Sequence, residues 1–201
     1  MVEIITGYIR VKDLSITVDG EIVGRAEQQD LDKLLQFSYE HLALDYPKFY
    51  KMDRLSALGF IASEFLLKKH ALGDYKPAEV AVVLANANAS LDADVRYAEA
   101  SREVSSPALF VYTLPNIVAG EICIRNGFKG ETAFFVSDQF ESAMMHTYVH
   151  QLFIQTETKA CLAGWVDVAG EHHDVFLYLV ERVEHGLNLP HTPEKLNEIY
   201  L

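Results

Sequence analysis

Cysteine is nearly absent from this chain. Its 201 residues include only Cys123 and Cys161. Two isolated thiols build neither a disulfide framework nor a thiolate metal site. Each sits in an apolar context, Glu121-Ile122-Cys123-Ile124 and Ala160-Cys161-Leu162. Both read as small buried hydrophobes, a usage suited to a reducing compartment. Positive charge is scarce as well: 17 Lys and Arg stand against 29 Asp and Glu, for a net charge of −12. Such a surface repels phosphate backbones, so no nucleic-acid partner is expected. No apolar run approaches the roughly 18 residues of a membrane span. The segment Met1 to Tyr8 lacks the basic-then-apolar order of a signal peptide. A cytoplasmic protein with no membrane partner is expected. Gly-x-Gly-x-x-Gly, phosphate-loop and Gly-x-Ser-x-Gly patterns are all missing, so no cofactor is expected.

What is present is core-forming. Half of the residues are hydrophobic and 23% are charged, the balance of a globular domain rather than a disordered chain. Without an internal repeat or linker, residues 1–201 read as one domain. Val2 to Val11 reads as a strand, and Leu14 to Val23 as a hairpin turning at Asp19-Gly20. Asp30 and Asp53 begin two helices with apolar residues at helical spacing. Glu79 to Ala85 is a continuous apolar run, as in a strand covered on both faces. Asn86 to Asp94 reads as loop, and Pro107 to Thr113 as extended. Pro115 begins a helix that stops at Gly127. Thr132 to Ser137 is a further strand, Gln139 to Ile154 a helix, and Lys159 to Val168 and Val175 to Val183 the last two strands. The tail from Gly186, polar and Pro-containing, reads as loosely packed or reaching toward a partner. Alternating strands and helices imply an α/β fold, a mixed central sheet covered by helices.

Two histidine clusters invite a metal reading, and neither sustains it. Neighbours in Gly170-Glu171-His172-His173-Asp174 point in different directions and do not converge as ligands must, so the segment reads as a polar turn. His146 and His150 share a helix face but lack the intervening Glu of the zinc motif and a third ligand. They read as surface or partner-facing. No metal is expected.

The informative stretch is Ser106-Pro107, then Asn116-Ile117-Val118-Ala119-Gly120-Glu121-Ile122-Cys123-Ile124, then Gly127-Phe128-Lys129-Gly130, then the strand Thr132 to Ser137. Here the chain resembles the β-ketoacyl synthases (3-oxoacyl-acyl-carrier-protein synthases) of the thiolase-like superfamily. That family runs Ser-Pro, an Asn-x-x-x-Gly-x-x-x-Ile helix, a Gly-x-x-Gly turn, and a buried strand leading to the nucleophile. The likeness covers most of this chain and about the first half of a synthase. It implies a thiolase-like half, and dimerisation through the strand Thr132 to Ser137, with Phe134-Phe135 as contact residues.

Two departures shape the function that the resemblance implies. The family places a cysteine where the strand ends and a helix opens, because a helix N-terminus favours the thiolate that takes up the acyl group. Counted from Gly130 without a gap, that place holds Gln139, flanked by Asp138 and Phe140. None of the three is a thiol, and a one-residue slip changes nothing. The family's paired histidines, or His and Asn, come from its second half, and His172, His173, His185 and His191 lie in no matching motif. The resemblance therefore implies a non-catalytic accessory subunit in fatty acid or polyketide synthesis on acyl carrier protein. It would form a homodimer, or a heterodimer with a full-length ketosynthase, and Gln139, Asp138 and Phe140 would line a shared substrate pocket. Two alternatives stay open: an acyltransferase or malonyl decarboxylase completed by a partner, and an acyl-ligand binding module.

Overall fold

The computed structural model describes residues 2–25, 30–102, 107–183 and 185–201. Eight strands form one mixed sheet: β1 (Ile4–Lys12), β2 (Ser15–Val18), β3 (Glu21–Arg25), β4 (Val80–Asn86), β5 (Thr132–Val136), β6 (Ala160–Ala169), β7 (His172–Glu181) and β8 (Leu189–Pro190). The order across the sheet is β3-β2-β1-β7-β6-β4-β5, with β8 set against β1. Strand β4 runs parallel to both β5 and β6, whereas β7 is antiparallel to its neighbours β6 and β1. The helices are α1 (Leu31–His41), α2 (Arg54–Lys69), α3 (Leu91–Ala100), α4 (Pro107–Val111), α5 (Ile117–Asn126), α6 (Ser142–Gln155) and α7 (Pro193–Tyr200). The mixed sheet covered by helices matches the sequence expectation.

The two-residue period of a strand sorts the core into two layers. From β4, Val80, Val82 and Leu84 face one way, packed with Leu162 of β6, Leu177 of β7 and the buried faces of α1, α2 and α5. Ala81, Val83 and Ala85 face the other way, with Trp165, Phe176 and Tyr178, beneath α6 and α7. Ile5 and Ile9 have the same parity yet lie in different layers. A shift of register between Ile5 and Gly7 accounts for this, because one extra residue flips every side chain beyond it.

Local chemistry sets the element ends. Asp19 and Gly20, at φ +54° and +83°, make the expected hairpin turn, in which both central residues need positive φ. Asp30 accepts a hydrogen bond from the Lys33 N–H, and Asp53 from those of Leu55 and Ser56. Gly127, at φ +72°, ends α5. Gly130 donates to the Val80 carbonyl, and a Cβ there would lie 2.4 Å from that oxygen. The Gly-x-x-Gly turn thus lets the chain pass close against the start of β4.

Several sequence expectations differ from the structure. Pro107 to Thr113 is not extended, because α4 and a following turn occupy it; Ser106 lies outside the described residues. The loop after β4 ends at Ser90, where α3 begins. Only Gly170 and Glu171 form the turn between β6 and β7, and His172, His173 and Asp174 belong to β7. The tail is not loose. Leu189 and Pro190 pair with β1, Thr192 caps α7 by accepting from the Lys195 N–H, and Leu196 is fully buried. Cys161 is buried as expected, but Cys123 is only half-buried. Among the described residues no helix is long and apolar enough to cross a membrane.

Candidate functional site

The parallel strands β4, β5 and β6 all end at one edge of the fold. In open α/β sheets the crevice beyond such carboxyl ends is the usual ligand site. Here it is closed by two loops. The first follows β4, and the Asn86 amide staples it by donating to the Ala89 carbonyl at 2.8 Å and accepting from the Ala89 N–H at 2.9 Å. The nearly buried Asp167 carboxylate of β6 accepts from the N–H groups of Ala87 and Asn88 at 3.1 and 3.0 Å, and from the Asn88 side chain at 2.8 Å. The second loop, residues 137–141, follows β5 and is tied to the first by a 3.0 Å bond from the Ser137 N–H to the Asn86 carbonyl.

The three residues singled out by the sequence separate within this second loop. Asp138 and Gln139 are exposed. The Gln139 side-chain amide donates to the Glu141 carboxylate at 3.1 Å, and the Gln139 backbone carbonyl accepts from the Ser137 hydroxyl at 2.9 Å. Helix α6 opens only at Ser142, and its N-cap position, Glu141, makes no side-chain cap. Gln139 therefore stands ahead of the helix rather than in its first turn. Phe140 points inward and is 7% exposed. Its ring lies 4.8 Å from that of Tyr200, 5.3 Å from Phe176 and 6.4 Å from Trp165. It is a core residue, so the structure brings Asp138 and Gln139 together at the surface and leaves Phe140 out.

Neither cysteine offers a nucleophile. Burial pushes the Cys123 thiol up to about 11 and the Cys161 thiol higher still, which keeps both protonated at neutral pH. Among the described residues no hydrogen bond joins Ser137 or Gln139 to an imidazole that would serve as a base. No three His, Cys, Asp or Glu side chains among them gather as metal ligands would.

Two polar clusters connect residues far apart in sequence, one near this edge and one at the opposite end of the sheet, where β4 and β6 begin. In the first, Arg10 donates to Asp174 at 2.6 Å and to the Val175 carbonyl at 2.8 Å. The Tyr200 hydroxyl donates to the same carboxylate at 2.6 Å, with the Arg10 guanidinium 4.5 Å from the Tyr200 ring centre. This fixes the end of α7 against Phe140, so the tail supports the Gln139 loop from below. In the second cluster, Glu3 accepts from Arg182 at 2.8 Å and from His150 at 3.0 Å, and His191 lies 3.6 Å away. Burial alone would raise the Glu3 carboxyl, but His191, Arg182 and His150 outweigh it and bring it down to about 2. At 3.6 Å the His191 contact is too long for a hydrogen bond. Neither nitrogen of this fully buried ring has a hydrogen-bond partner among the described residues, and burial lowers its pKa. His146 stacks on His150 and contacts His191. The pair on α6 is therefore engaged with the tail, not left free on the surface.

Among the described residues strand β5 is a sheet edge, paired with β4 alone. Its two phenylalanines lie on opposite sides of the sheet, Phe134 with the α2 layer and Phe135 beside Tyr148 of α6 at 4.9 Å.

Solved structures share this architecture. The ishigamide ketosynthase/chain length factor aligns with a TM-score of 0.66 at 20% identity, over 94% of this chain and 64% of that one. A ketosynthase in complex with its chain length factor from Xenorhabdus doucetiae aligns at 0.58 and 11%, over 100% of this chain and 90% of the other. A type II polyketide synthase acyl-carrier protein in complex with its ketosynthase bound to the hexaketide aligns at 0.59 and 15%, over 90% and 62%. This chain thus spans less than two thirds of the first and third and nearly all of the second. No protein-family model matches the chain, and no curated protein matches it. The fold is thiolase-like, that of ketosynthases and chain length factors.

Proposed function

We propose that this chain is a non-catalytic, ketosynthase-like accessory subunit in polyketide or fatty acid synthesis, comparable to a chain length factor. Residues 1–201 act as one unit, in the cytoplasm, beside an intact ketosynthase that works on acyl carrier protein. One observation supports this reading: the loop after β5, where the resemblance implies the nucleophile, holds the exposed Gln139 and no thiol, and burial raises the pKa of both cysteines, which lie elsewhere. The surface supports a partner. An open parallel edge strand is a ready template for pairing. Leu91 and Val95 of α3, Phe110 and Val111 of α4, and Leu114 are all exposed, and a cluster of exposed large apolar residues marks an interaction surface. The protein pairs with a ketosynthase, or with itself when none is present. A monomer by light scattering at micromolar concentration contradicts this.

Intact-mass labelling tests the catalytic half of the proposal. The chain is incubated with malonyl- and acyl-loaded carrier protein, alone and with a ketosynthase. We expect no adduct on this chain, and an adduct or altered product on the ketosynthase. An acyl mass on this chain alone refutes the non-catalytic reading. The exposed Gln139 side chain favours a second reading, malonyl decarboxylation by the reconstituted pair. That reading requires the rate to fall in Gln139→Ala.

A further inference from the structure

A separate cavity of about 240 Å³ opens far from the Gln139 loop, where the β2–β3 hairpin leans on the C-terminal ends of α1 and α2. Its walls are Val18, Val23, Leu42 and Phe65. Phe65 stacks at 5.8 Å on His41, which in turn meets Phe37 at 5.7 Å, so an aromatic ladder extends the apolar wall. The rim is basic, formed by Lys68 and Lys69 with His41.

The two ammonium groups are not equivalent. Lys69 is committed to Asp19 at 2.9 Å and approaches Glu21 at 3.7 Å. Asp19 is held as well by His70 at 2.7 Å and by the Tyr8 N–H at 2.9 Å. Lys68 is exposed and makes no ion pair among the described residues. Lys68 is therefore the one rim ammonium without an ion-pair partner among the described residues, and it stands above an apolar void. One cation matches one carboxylate better than a phosphate dianion. An apolar cavity of about 150 Å³ holds a benzene molecule, so this one has room for an alkyl chain of medium length.

We propose that this cavity is a binding site for a medium-chain fatty carboxylate, its alkyl chain among Val18, Val23, Leu42 and Phe65 and its head group on Lys68. The site is independent of the accessory role proposed above and stands or falls separately.

Titration calorimetry on the full chain with a homologous series of free carboxylates tests it. From butyrate to octanoate each added methylene tightens binding by about three- to fourfold. Beyond octanoate the gain stops, because the void is full. Octylamine, which carries the wrong charge, binds at least tenfold more weakly than octanoate. Lys68→Glu weakens octanoate by tenfold or more but leaves octanol unchanged. Val23→Phe fills the void and abolishes both; should that variant fold poorly, the exposed Lys68→Glu change decides alone. The proposal is overturned by an absence of saturable octanoate binding or by a flat chain-length series. It is overturned equally if octanoate affinity survives Lys68→Glu, since the ligand then sits elsewhere, for example beside Gln139.

Discussion

The two faces of the sheet are built differently, although the same strands supply both. On one side α1, α2 and α5 cover a broad apolar layer drawn from β1, β2, β4, β6 and β7. Helix α2 is buried nearly all round, from Leu55 to Leu66, because α1, α5 and the sheet enclose it. On the other side α6 and the eight-residue α7 cover a smaller layer. Its border is polar: Glu3, His150, Arg182 and His191 at one end, Arg10, Asp174 and Tyr200 at the other. The first face is held mainly by packing, with ion pairs such as Arg125–Glu64 and Arg54–Asp32 joining its helices at the surface. The second is held by charge, so its hold on the tail depends on pH. The Gln139 loop rests on the second face through Phe140.

Substitutions separate the two mechanisms. Leu58→Ala on α2 removes a side chain that is 1% exposed, and an expected loss of about 3–4 kcal/mol appears as a lower denaturant midpoint. Leu196→Ala on α7 also empties a buried site. Its loss is smaller, about 2 kcal/mol, because a short terminal helix shifts more easily to close the void. If the two losses come out equal, the contrast between the faces is wrong.

Acid tests the charged hold. His191 has a folded pKa below its ordinary 6.5, so the unfolded form binds the proton more readily, and stability falls as pH drops below 6.5. Glu3, lowered from 4.5 to about 2, adds a second loss between pH 4.5 and 2. Amide-exchange protection in α7, corrected for the intrinsic rate at each pH, should therefore fall from pH 7 to pH 4 more than protection in α2. His191→Phe removes the upper part of this dependence and also two unpaired buried nitrogens, for a gain of up to about 1 kcal/mol at pH 7. An equal loss of protection in both helices would remove the idea of a charge-held tail. The smallest effect is expected at Gln139→Ala: the side chain is exposed, and the melting temperature reports a change within about 0.5 kcal/mol.

Much of the fold was legible because local chemistry decided it. Asp19-Gly20, the caps Asp30 and Asp53, Gly127 and the apolar run of β4 each announce an element, and each element is there. The misses have physical causes. Helix α3 buries only Ala93, so its sequence shows almost no apolar stripe to read. Helix α7 does carry a signal, Thr192-Pro193 at its start and Leu196, Ile199 and Tyr200 at helical spacing. The polar residues around it obscured that signal. Within the candidate site, the exposure of Gln139 and Asp138 suits their polar side chains. The inward turn of Phe140 was not legible, because it depends on Tyr200, a residue sixty positions away. The Glu3 cluster joins residues 147 and 179 positions apart, and no local pattern encodes such a meeting.

Strand β5, Thr-Ala-Phe-Phe-Val, carries no charge of its own, and the nearest acids are Glu131 and Asp138 on either side. Those two act as gatekeepers against runaway association, but they guard only the ends of an open ladder. The consequence is one of supply. If β5 is covered by the companion proposed above, a cell that makes this chain in excess of it accumulates a sticky surplus, and balanced synthesis of the two avoids this.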